Sequence, residues 1–271
     1  MLKFAVIGHP VGHSLSPAIH AANFAALGID AEYTAVDVPP EGLAAAVRRF
    51  AAEGYAGFNV TVPHKQAMMG LVSPMESARL YGAVNTVLIR DGRCYGYNTD
   101  VDGFLDDLRA HGFEVEGRRV LVLGAGGAGS AVAQGCREAG ASRVVVANRT
   151  VRAGMLRLGS PECLDLAAKA DLVVNATSLG LRPDDDSPLD MEGRRFSLFN
   201  SRQLVYDLAP VRWCTRFVRE ARDCGAGVLS GHGMLVRQAA LAFEIWTSRP
   251  ADVGAMFRAL PQFHIDSGRS L

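Results

Sequence analysis

The chain has 271 residues, 49% of them hydrophobic and 21% charged, and its 28 lysines and arginines match its 28 aspartates and glutamates. This length exceeds the usual size of one hydrophobic core, so two domains are expected, and the composition excludes disorder over most of the chain. The formal net charge of zero excludes an overall field that would recruit nucleic acid or an anionic membrane surface, so neither is an expected partner.

The five cysteines are widely spaced and include no Cys-x-x-Cys pair, a pattern typical of reduced thiols in a cytoplasmic protein. The apolar run over residues 1–8 is too short for a signal peptide, and no segment reaches the length of a membrane span. No metal site is expected, because His13, His64 and His232 lack metal-ligand spacing. The prediction is a soluble, cytoplasmic protein.

The first hundred residues alternate between strand and helix patterns. Strands are predicted at residues 3–7, 32–36, 57–60, 83–89 and 93–97, and helices at residues 17–27, 41–53 and 65–71. Asp91-Gly92 predicts the turn of a hairpin between the last two strands. This alternation predicts one α/β domain that ends near Asp100.

The second part of the chain has the pattern of a parallel sheet. A helix over residues 102–111 leads to the apolar strand 119–123, which is of the kind that is buried on both faces of such a sheet. Further strands are predicted at residues 143–147, 171–175, 204–207 and 227–229, and helices at residues 130–139, 160–170 and 234–247. Glycines at positions 231 and 233 predict a break before the last helix.

A glycine-rich turn, Gly124-Ala125-Gly126-Gly127-Ala128-Gly129, joins the strand 119–123 to the helix that follows. Glycine permits a close approach of the backbone to a pyrophosphate, and the amides of a helix N-terminus bind its charge. The order of strand, turn and helix favours nucleotide binding, but it does not separate a nicotinamide cofactor from S-adenosylmethionine.

The end of the next strand, Asn148-Arg149-Thr150, separates these cofactors better. A fold that prefers NAD usually has a carboxylate here for the ribose hydroxyl, and this chain has none. Arg149 can pair with a 2′-phosphate and Thr150 can donate to it, so the sequence predicts NADP as the cofactor.

Seven short motifs resemble the shikimate dehydrogenase family, in the family's order and over nearly the whole chain. They are Ser14-Leu15-Ser16-Pro17, Asn59-Val60-Thr61-Val62-Pro63-His64-Lys65, Gly82-Ala83-Val84-Asn85-Thr86, Gly96-Tyr97-Asn98-Thr99-Asp100, Asn148-Arg149-Thr150, Asn175-Ala176-Thr177 and Gly233-Met234-Leu235-Val236-Arg237-Gln238. Each motif alone has an ordinary structural explanation, such as a helix cap at Ser16-Pro17 or an exposed lysine at position 65. Their joint occurrence favours the family.

The resemblance implies an α/β substrate-binding catalytic domain over residues 1–101 and a Rossmann-type NADP-binding domain over residues 102–233. A C-terminal helical segment, residues 234–271, would pack back on the substrate domain, with the active site in the cleft between the domains. The implied activity is the reversible, NADP-dependent reduction of 3-dehydroshikimate to shikimate in aromatic amino acid biosynthesis. The expected partner is this small-molecule substrate, and the chain is expected to be a monomer or a homodimer.

The resemblance also implies roles for individual residues. Lys65 and Asp100 would be the catalytic pair. The substrate would be bound by Ser14, Ser16, Asn59, Thr61, Asn85, Asp100 and Gln238, with the two serines on its carboxylate. NADP would be bound by Gly124, Ala125, Gly126, Gly127, Ala128, Asn148, Arg149, Thr150, Thr177, Leu208, Gly231 and Met234.

The chemistry of the reaction explains the catalytic residue types. Hydride transfer to a ketone builds negative charge on its oxygen, which a positioned ammonium can stabilise and protonate, and the reverse reaction needs the same amine as a base. Lys65 has this expected role, and Asp100 would orient its amine. Nicotinamide supplies the hydride, so the reaction requires no metal.

Two departures from the family pattern bear on this assignment. Pro210 falls where the family usually has a tyrosine of the substrate pocket, and Tyr206 lies on the wrong side of Asp207 to replace it. The 24 residues between Thr150 and Asn175 are also few for the family, which predicts the loss of one strand or helix at this edge.

These departures leave two alternatives open. The first is a dehydrogenase for a related cyclic polyol acid, such as quinate or an aminoshikimate. The second is a regulator that binds NADP or shikimate without catalysis, although such a protein has no need of an acid/base lysine.

Overall fold

A computed structural model gives the structure of the protein and describes residues 1–190, 198–211 and 213–261. The chain forms two compact units: the first contains Met1–Gly103 and Val236–Pro261, and the second contains Phe104–Leu235. Two six-stranded sheets are present, one made by each unit. The predicted α/β class is confirmed, whereas the functional domain limits at residues 101 and 233 stay a prediction. Residues 262–271 of the predicted C-terminal segment lie outside the described residues.

The strands and helices follow the chain in alternation. The strands are β1 (Leu2–Gly8), β2 (Ala31–Asp37), β3 (Gly57–Val60), β4 (Ser73–Pro74), β5 (Thr86–Arg90), β6 (Arg93–Tyr97), β7 (Arg119–Leu123), β8 (Arg143–Asn148), β9 (Leu156–Arg157), β10 (Leu172–Asn175), β11 (Leu204–Asp207) and β12 (Gly227–Ser230). The helices are α1 (Ser16–Ala26), α2 (Leu43–Ala52), α3 (Glu76–Tyr81), α4 (Asp100–Ala110), α5 (Gly127–Glu138), α6 (Pro161–Lys169), α7 (Arg216–Asp223), α8 (Gly231–Thr247) and α9 (Val253–Arg258).

The sheet of the first unit has the strand order β2-β1-β3-β5-β6-β4. Strands β2, β1 and β3 are parallel, β5 is antiparallel to β3, and β6 is antiparallel to β5. The carboxyl ends of β1, β3 and β6 and the amino end of β5 therefore lie at the same edge of the sheet. This arrangement brings together loops that are far apart in the sequence.

Helix α8 is fixed on this sheet by Trp246. The indole Nε1 donates to the backbone oxygen of Val87 at 2.9 Å, and the ring stacks on Phe4 with centroids 4.8 Å apart. Gly57 leaves the space that the indole fills, because a Cβ at this position would overlap it and would also lie 2.6 Å from the oxygen of Val87. The glycine in β3 is thus a packing requirement.

The core of the first unit contains a fully buried histidine, His20 of α1. Its ring stacks on Tyr33, with centroids 4.3 Å apart and an interplanar angle of 10°. Burial lowers the pKa of His20 to about 3, and neither ring nitrogen has a hydrogen-bond partner among the described residues. The folded unit therefore holds this imidazole neutral over the whole physiological pH range, because charging it there would require solvation that the core does not supply.

The buried histidine predicts a loss of stability in acid. The unfolded chain takes up a proton near pH 6.5 and the folded chain only near pH 3, so the free energy of unfolding falls as the pH drops below 6.5 and continues to fall until about 3. Between pH 7 and pH 5, His20 is expected to lower the free energy of unfolding by about 2 kcal/mol. We expect His20→Phe to remove this part of the acid destabilisation, because its ring can still stack on Tyr33.

The measurement is urea unfolding at pH 7 and pH 5, followed by tryptophan fluorescence. The chain has two tryptophans, and a Trp213→Phe background leaves Trp246, next to His20, as the reporter of the first unit. Equal pH dependence with and without His20 would show that this residue is not the buried neutral base.

The sheet of the second unit is parallel throughout, with the strand order β12-β11-β10-β7-β8-β9. Counted from the first strand of the unit, this is the order of a Rossmann-type dinucleotide fold. Strands β10 and β11 are buried along their whole length, and their mainly apolar sequences are of the kind found in a parallel sheet that is covered on both faces. The predicted second α/β unit is thus confirmed in class and topology.

Two helix predictions were wrong. Residues 65–71 do not form an α-helix but a short 3₁₀ turn at Ala67–Gly70, followed by β4 and α3. Gly70 and Pro74 disfavour continuation of a helix here. Helix α8 starts at Gly231 and not at Met234. Gly231 and Gly233 lie inside the helix and do not mark a break. A Cβ at Gly231 would overlap the backbone of Leu208, and a Cβ at Gly233 would overlap the carboxylate of Asp107.

The segment between Thr150 and Asn175 contains the predicted helix, here α6, which is capped by Ser160. It also contains β9, a two-residue strand on the edge of the sheet next to β8, which the sequence did not predict. The loss of one element relative to the family stays a prediction. In the part of the chain that the structure describes, no helix is long and apolar enough to cross a membrane.

Candidate active site

The polar motifs of the first unit lie at one edge of its sheet. Ser14 and Ser16 follow β1, and Thr61 and Lys65 follow β3, which is the parallel neighbour of β1. Two further motifs reach the same edge, since Asn85 precedes the antiparallel β5 and residues 98–100 follow β6. The structure therefore brings these separate motifs to adjacent loops.

The predicted catalytic pair is in direct contact. Lys65 Nζ donates to Asp100 Oδ2 at 2.6 Å, although 35 residues separate the two in the sequence. The lysine side chain is 30% exposed and the aspartate 15% exposed, so the amine is partly shielded but still reachable by a ligand. Asp100 is oriented by its backbone, since its amide donates to Asn98 Oδ1 at 3.0 Å. A directed ammonium beside a carboxylate can donate or accept a proton at a substrate oxygen.

Asn85 connects this pair to other predicted site residues. Its Nδ2 lies 2.9 Å from Asp100 Oδ1 and 3.4 Å from Gln238 Oε1. Its Oδ1 accepts from the backbone amide of Thr99 at 2.9 Å. A backbone amide can only donate, so this bond determines which end of the Asn85 amide points to Asp100.

Gln238 joins the site from α8. The hydroxyl of Thr99 donates to the backbone oxygen of Gln238 at 3.0 Å. Gly103 on α4 allows this close approach, because a Cβ there would lie 2.7 Å from the backbone nitrogen of Gln238. A residue 153 positions from Asn85 is thus held beside it by the packing of α4 and α8 within the first unit.

The two serines lie at the start of α1. Ser14 Oγ accepts from the backbone amide of Ser16 at 3.3 Å, and Ser16 is 7% exposed. Thr61 is half-buried, and its backbone amide donates to the oxygen of Ile7 at 2.8 Å. These three hydroxyl-bearing residues thus belong to the loops that follow β1 and β3.

Asn59 differs from the other predicted substrate-binding residues. It is 6% exposed, and its Oδ1 accepts from the hydroxyl of Tyr33 at 2.7 Å. Its Nδ2 donates to the backbone oxygen of Asn85 at 3.1 Å and to Thr86 Oγ1 at 3.0 Å. Both amide hydrogens and the carbonyl oxygen are therefore used inside the protein.

The glycine-rich turn of the second unit has the geometry of an anion site. Gly124, in the left-handed region with a φ of +104°, begins the turn, and Gly126 is the N-cap of α5. A Cβ at Gly129 would overlap the backbone of Gly124, whereas a Cβ at Gly126 or Gly127 would meet nothing within 4 Å. Exposed space thus lies before the first amides of the helix, where a pyrophosphate can bind.

Asn148 links this turn to the end of β8. Its Oδ1 accepts from the amide of Ala125 at 3.3 Å, and its Nδ2 donates to the oxygen of Thr150 at 2.9 Å. Arg149 and Thr150 are exposed at the same end of the strand. Arg149 can reach outward from the strand end, and residues 148–150 include no carboxylate. Both features suit the binding of a 2′-phosphate.

The remaining predicted cofactor residues follow β10 and β11 or begin α8. Thr177 donates to Asn175 Oδ1 at 2.7 Å, and Asn175 in turn donates to Asp207 Oδ1 at 3.1 Å. Burial raises the pKa of Asp207. The backbone amide of Leu208 donates to the oxygen of Asn175 at 2.9 Å, which places it at the carboxyl end of the parallel sheet, where dinucleotides bind.

The start of α8 is held by a pair that the sequence did not single out. Tyr206 is fully buried, and its hydroxyl donates to Asp107 Oδ2 at 2.7 Å and accepts from the amide of Met234 at 3.2 Å. The Tyr206 hydroxyl is therefore used inside the second unit, and Pro210 is exposed. That no tyrosine replaces the one usual for the family at position 210 stays a prediction. A tyrosine in an apolar strand gives no sign of this contact.

His232 also lies in the first turn of α8. It is 6% exposed, Ser230 Oγ lies 3.0 Å from its Nδ1, and burial lowers its pKa to about 4. The imidazole is thus neutral at neutral pH, which suits the positive end of a helix dipole. Among the described residues, no cluster of histidine, cysteine or carboxylate side chains could hold a metal ion.

Comparison with known proteins decides the family. Residues 6–87 match the model of the shikimate dehydrogenase substrate binding domain, and residues 231–260 match that of the shikimate 5′-dehydrogenase C-terminal domain. Shikimate dehydrogenase (NADP(+)) of Nitrosopumilus maritimus is 40% identical, over 95% of this chain and 97% of that protein. The chain belongs to the shikimate dehydrogenase family. The family membership predicted from the sequence is confirmed.

Two solved structures share the fold as well. The structure of shikimate 5-dehydrogenase from Thermus thermophilus, in complex with NADP(H) and shikimate, has 42% identity and a TM-score of 0.86, and the match covers 96% of this chain and 98% of that one. The 5-ketofructose reductase of Gluconobacter sp. strain CHM43 has 33% identity and a TM-score of 0.82, with 95% and 97% covered. The same fold thus carries oxidoreductases that are named for different substrates.

Proposed function

We propose that this protein is an NADP-dependent shikimate dehydrogenase that interconverts 3-dehydroshikimate and shikimate. The observation that carries the proposal is the contact of Lys65 with Asp100, joined through Asn85 to Gln238. The likeness to shikimate dehydrogenases over almost the whole chain supports the same activity.

NADP, when bound, supplies or takes up the hydride. In the direction of reduction, Lys65 donates a proton from Nζ to the ketone oxygen as negative charge develops there. In the direction of oxidation, the neutral amine of Lys65 accepts the proton of the hydroxyl. Asp100 holds Nζ in position and accepts from a neighbouring hydroxyl of the ring. The lysine and aspartate thereby perform the acid/base chemistry without a metal.

The other polar residues of the first unit bind the substrate. Ser14 and Ser16 donate to the carboxylate, while Thr61, Asn85 and Gln238 contact the ring hydroxyls. Hydroxyl donors suit a small acid that must also be released, because they bind the carboxylate without a buried positive charge. We assign the first unit to the substrate on these grounds.

The second unit binds NADP in this proposal. The amides at the start of α5, residues 126–128, receive the pyrophosphate, and Arg149 and Thr150 receive the 2′-phosphate. Thr177, Leu208, Gly231 and Met234 lie near the carboxyl end of the parallel sheet and complete the cofactor site. The protein acts in the cytoplasm as a monomer or a homodimer.

A second candidate is a dehydrogenase for a related cyclic polyol acid. Pro210 favours it, because a proline cannot supply the hydroxyl of the tyrosine usual at this position. The likeness to 5-ketofructose reductase is compatible with such a change of substrate.

The test is NADP reduction by the purified protein with shikimate, quinate and an aminoshikimate, each repeated with NAD. We expect the highest kcat/KM with shikimate and NADP. A higher kcat/KM with quinate or an aminoshikimate would favour the second candidate. Binding of NADP and shikimate without turnover of any of these acids would contradict the enzymatic proposal.

A further inference from the structure

A buried chain of hydrogen bonds runs behind the substrate site, from Tyr33 in β2 to Asp100. It passes from Tyr33 to Asn59 in β3, to Thr86 in β5 and to Asn85, which contacts Asp100. Tyr33 is 7% exposed and Thr86 is fully buried, so neither residue is accessible to a substrate. The strand register brings them together, because Asn59 pairs directly with Thr86.

The direction of each bond in this chain is determined by groups that can only donate or only accept. Asn59 Nδ2 lies 3.1 Å from the backbone oxygen of Asn85, an atom that can only accept, so the nitrogen must face this side. The carbonyl oxygen of Asn59 then faces Tyr33, whose hydroxyl must donate to it. Thr86 accepts from Asn59 and is left to donate to Asn85 Oδ1 at 3.0 Å.

Asn85 Oδ1 therefore receives both the hydroxyl of Thr86 and the backbone amide of Thr99. Two donors on this oxygen direct the Nδ2 group of Asn85 to Asp100 and Gln238. Without these two donors, the side-chain amide of Asn85 could rotate. Asp100 Oδ1, the carboxylate oxygen that Lys65 does not contact, would then lose its hydrogen bond from Asn85 Nδ2.

We propose that Tyr33, Asn59 and Thr86 form a positioning relay that holds Asn85 and, through it, the catalytic pair of Asp100 and Lys65. Asn59 thus acts through Asn85 and not by contact with the substrate, because its own amide is fully used. The inference rests on the proposed function for its effect on turnover.

The test uses two near-isosteric substitutions, Tyr33→Phe and Thr86→Val, and the double variant. Each removes one hydroxyl and leaves a buried polar atom of the relay without its partner, so we expect kcat to fall about tenfold in each. Measurement at saturating shikimate keeps a change of substrate affinity out of kcat. The double variant is expected to be little worse than the worse single variant, because both act through Asn85.

Two matched controls are available in the same unit. Tyr55→Phe removes a hydroxyl from a tyrosine that stacks on Phe50, outside the relay. Thr34→Val replaces the neighbour of Tyr33, whose Oγ1 is buried and has no hydrogen-bond partner among the described residues. Both controls should keep wild-type kcat. Independent, multiplicative losses in the double relay variant, or equal losses in the controls, would overturn the relay.

Hydrogen exchange of the Thr99 amide tests the relay without turnover. This amide donates to Asn85 Oδ1, so its exchange should accelerate about tenfold in Tyr33→Phe, while the Val38 amide, bonded to Gly8, should not change. If the wild-type protein does not oxidise shikimate, that result refutes the proposed function but not the relay. Unchanged exchange of Thr99 in Tyr33→Phe would refute the relay, whatever the substrate.

Discussion

Lys65→Ala is expected to lower kcat for shikimate oxidation by about 10²- to 10⁴-fold, the range typical of a general acid/base residue. The substitution removes the only amine that contacts Asp100 in the described site, and water is left to take up the proton of the hydroxyl. The fold should remain intact, because the side chain is 30% exposed and its ion pair is not part of the core. The measurement is kcat at saturating shikimate and NADP, with circular dichroism as the check on folding.

A matched control for this variant is Lys169→Ala. Lys169 forms an ion pair of the same length with Asp165, with a 2.6 Å contact, but lies on the exposed face of α6. Its loss should leave kcat unchanged, since exposed pairs within one helix contribute little even to stability. Full activity of Lys65→Ala would show that another group carries the proton.

Arg149→Ala is expected to reduce the preference for NADP over NAD by about 10- to 100-fold in the ratio of kcat/KM values. The guanidinium is the cation at the end of β8 and can form charge-assisted hydrogen bonds with a 2′-phosphate, which contribute about 1.5–3 kcal/mol. NAD lacks this phosphate, so kcat/KM with NAD should change little. The measurement is kcat/KM for both cofactors at saturating shikimate.

Arg143→Ala is the control for this effect, because Arg143 is exposed at the opposite end of the same strand. Arg143→Ala should leave the ratio of the kcat/KM values for NADP and NAD unchanged. A parallel loss with NADP and NAD in Arg149→Ala would mean that the arginine supports the loop and does not recognise the phosphate.

The strands and long helices of the fold could be predicted from the sequence, because their apolar patterns directly reflect burial. The parallel strands β10 and β11 are apolar except for their last residues, Asn175 and Asp207, and are buried throughout. Short elements such as β4, β9 and α3 were missed, since two to six residues carry too little pattern and depend on their neighbours in the sheet. The start of α8 was misplaced for a related reason: glycines that read as a break are required by contacts with Leu208 and Asp107.

The candidate site shows the same limit. The motifs identified Lys65 and Asp100, but only the sheet topology brings their side chains within 2.6 Å. The sequence also grouped Asn59 with the substrate-binding residues, whereas its contacts with Tyr33, Asn85 and Thr86 become visible only with the strand register. A motif states which residue types occur together, and it does not state which of them face the ligand.

The central claim is tested most directly by adding 3-dehydroshikimate to the purified protein with NADPH and following the absorbance of NADPH. We predict rapid, stoichiometric oxidation of NADPH and formation of shikimate, with a lower kcat/KM for NADH as the reductant. No oxidation of NADPH by a folded wild-type protein that binds both compounds would contradict the assignment.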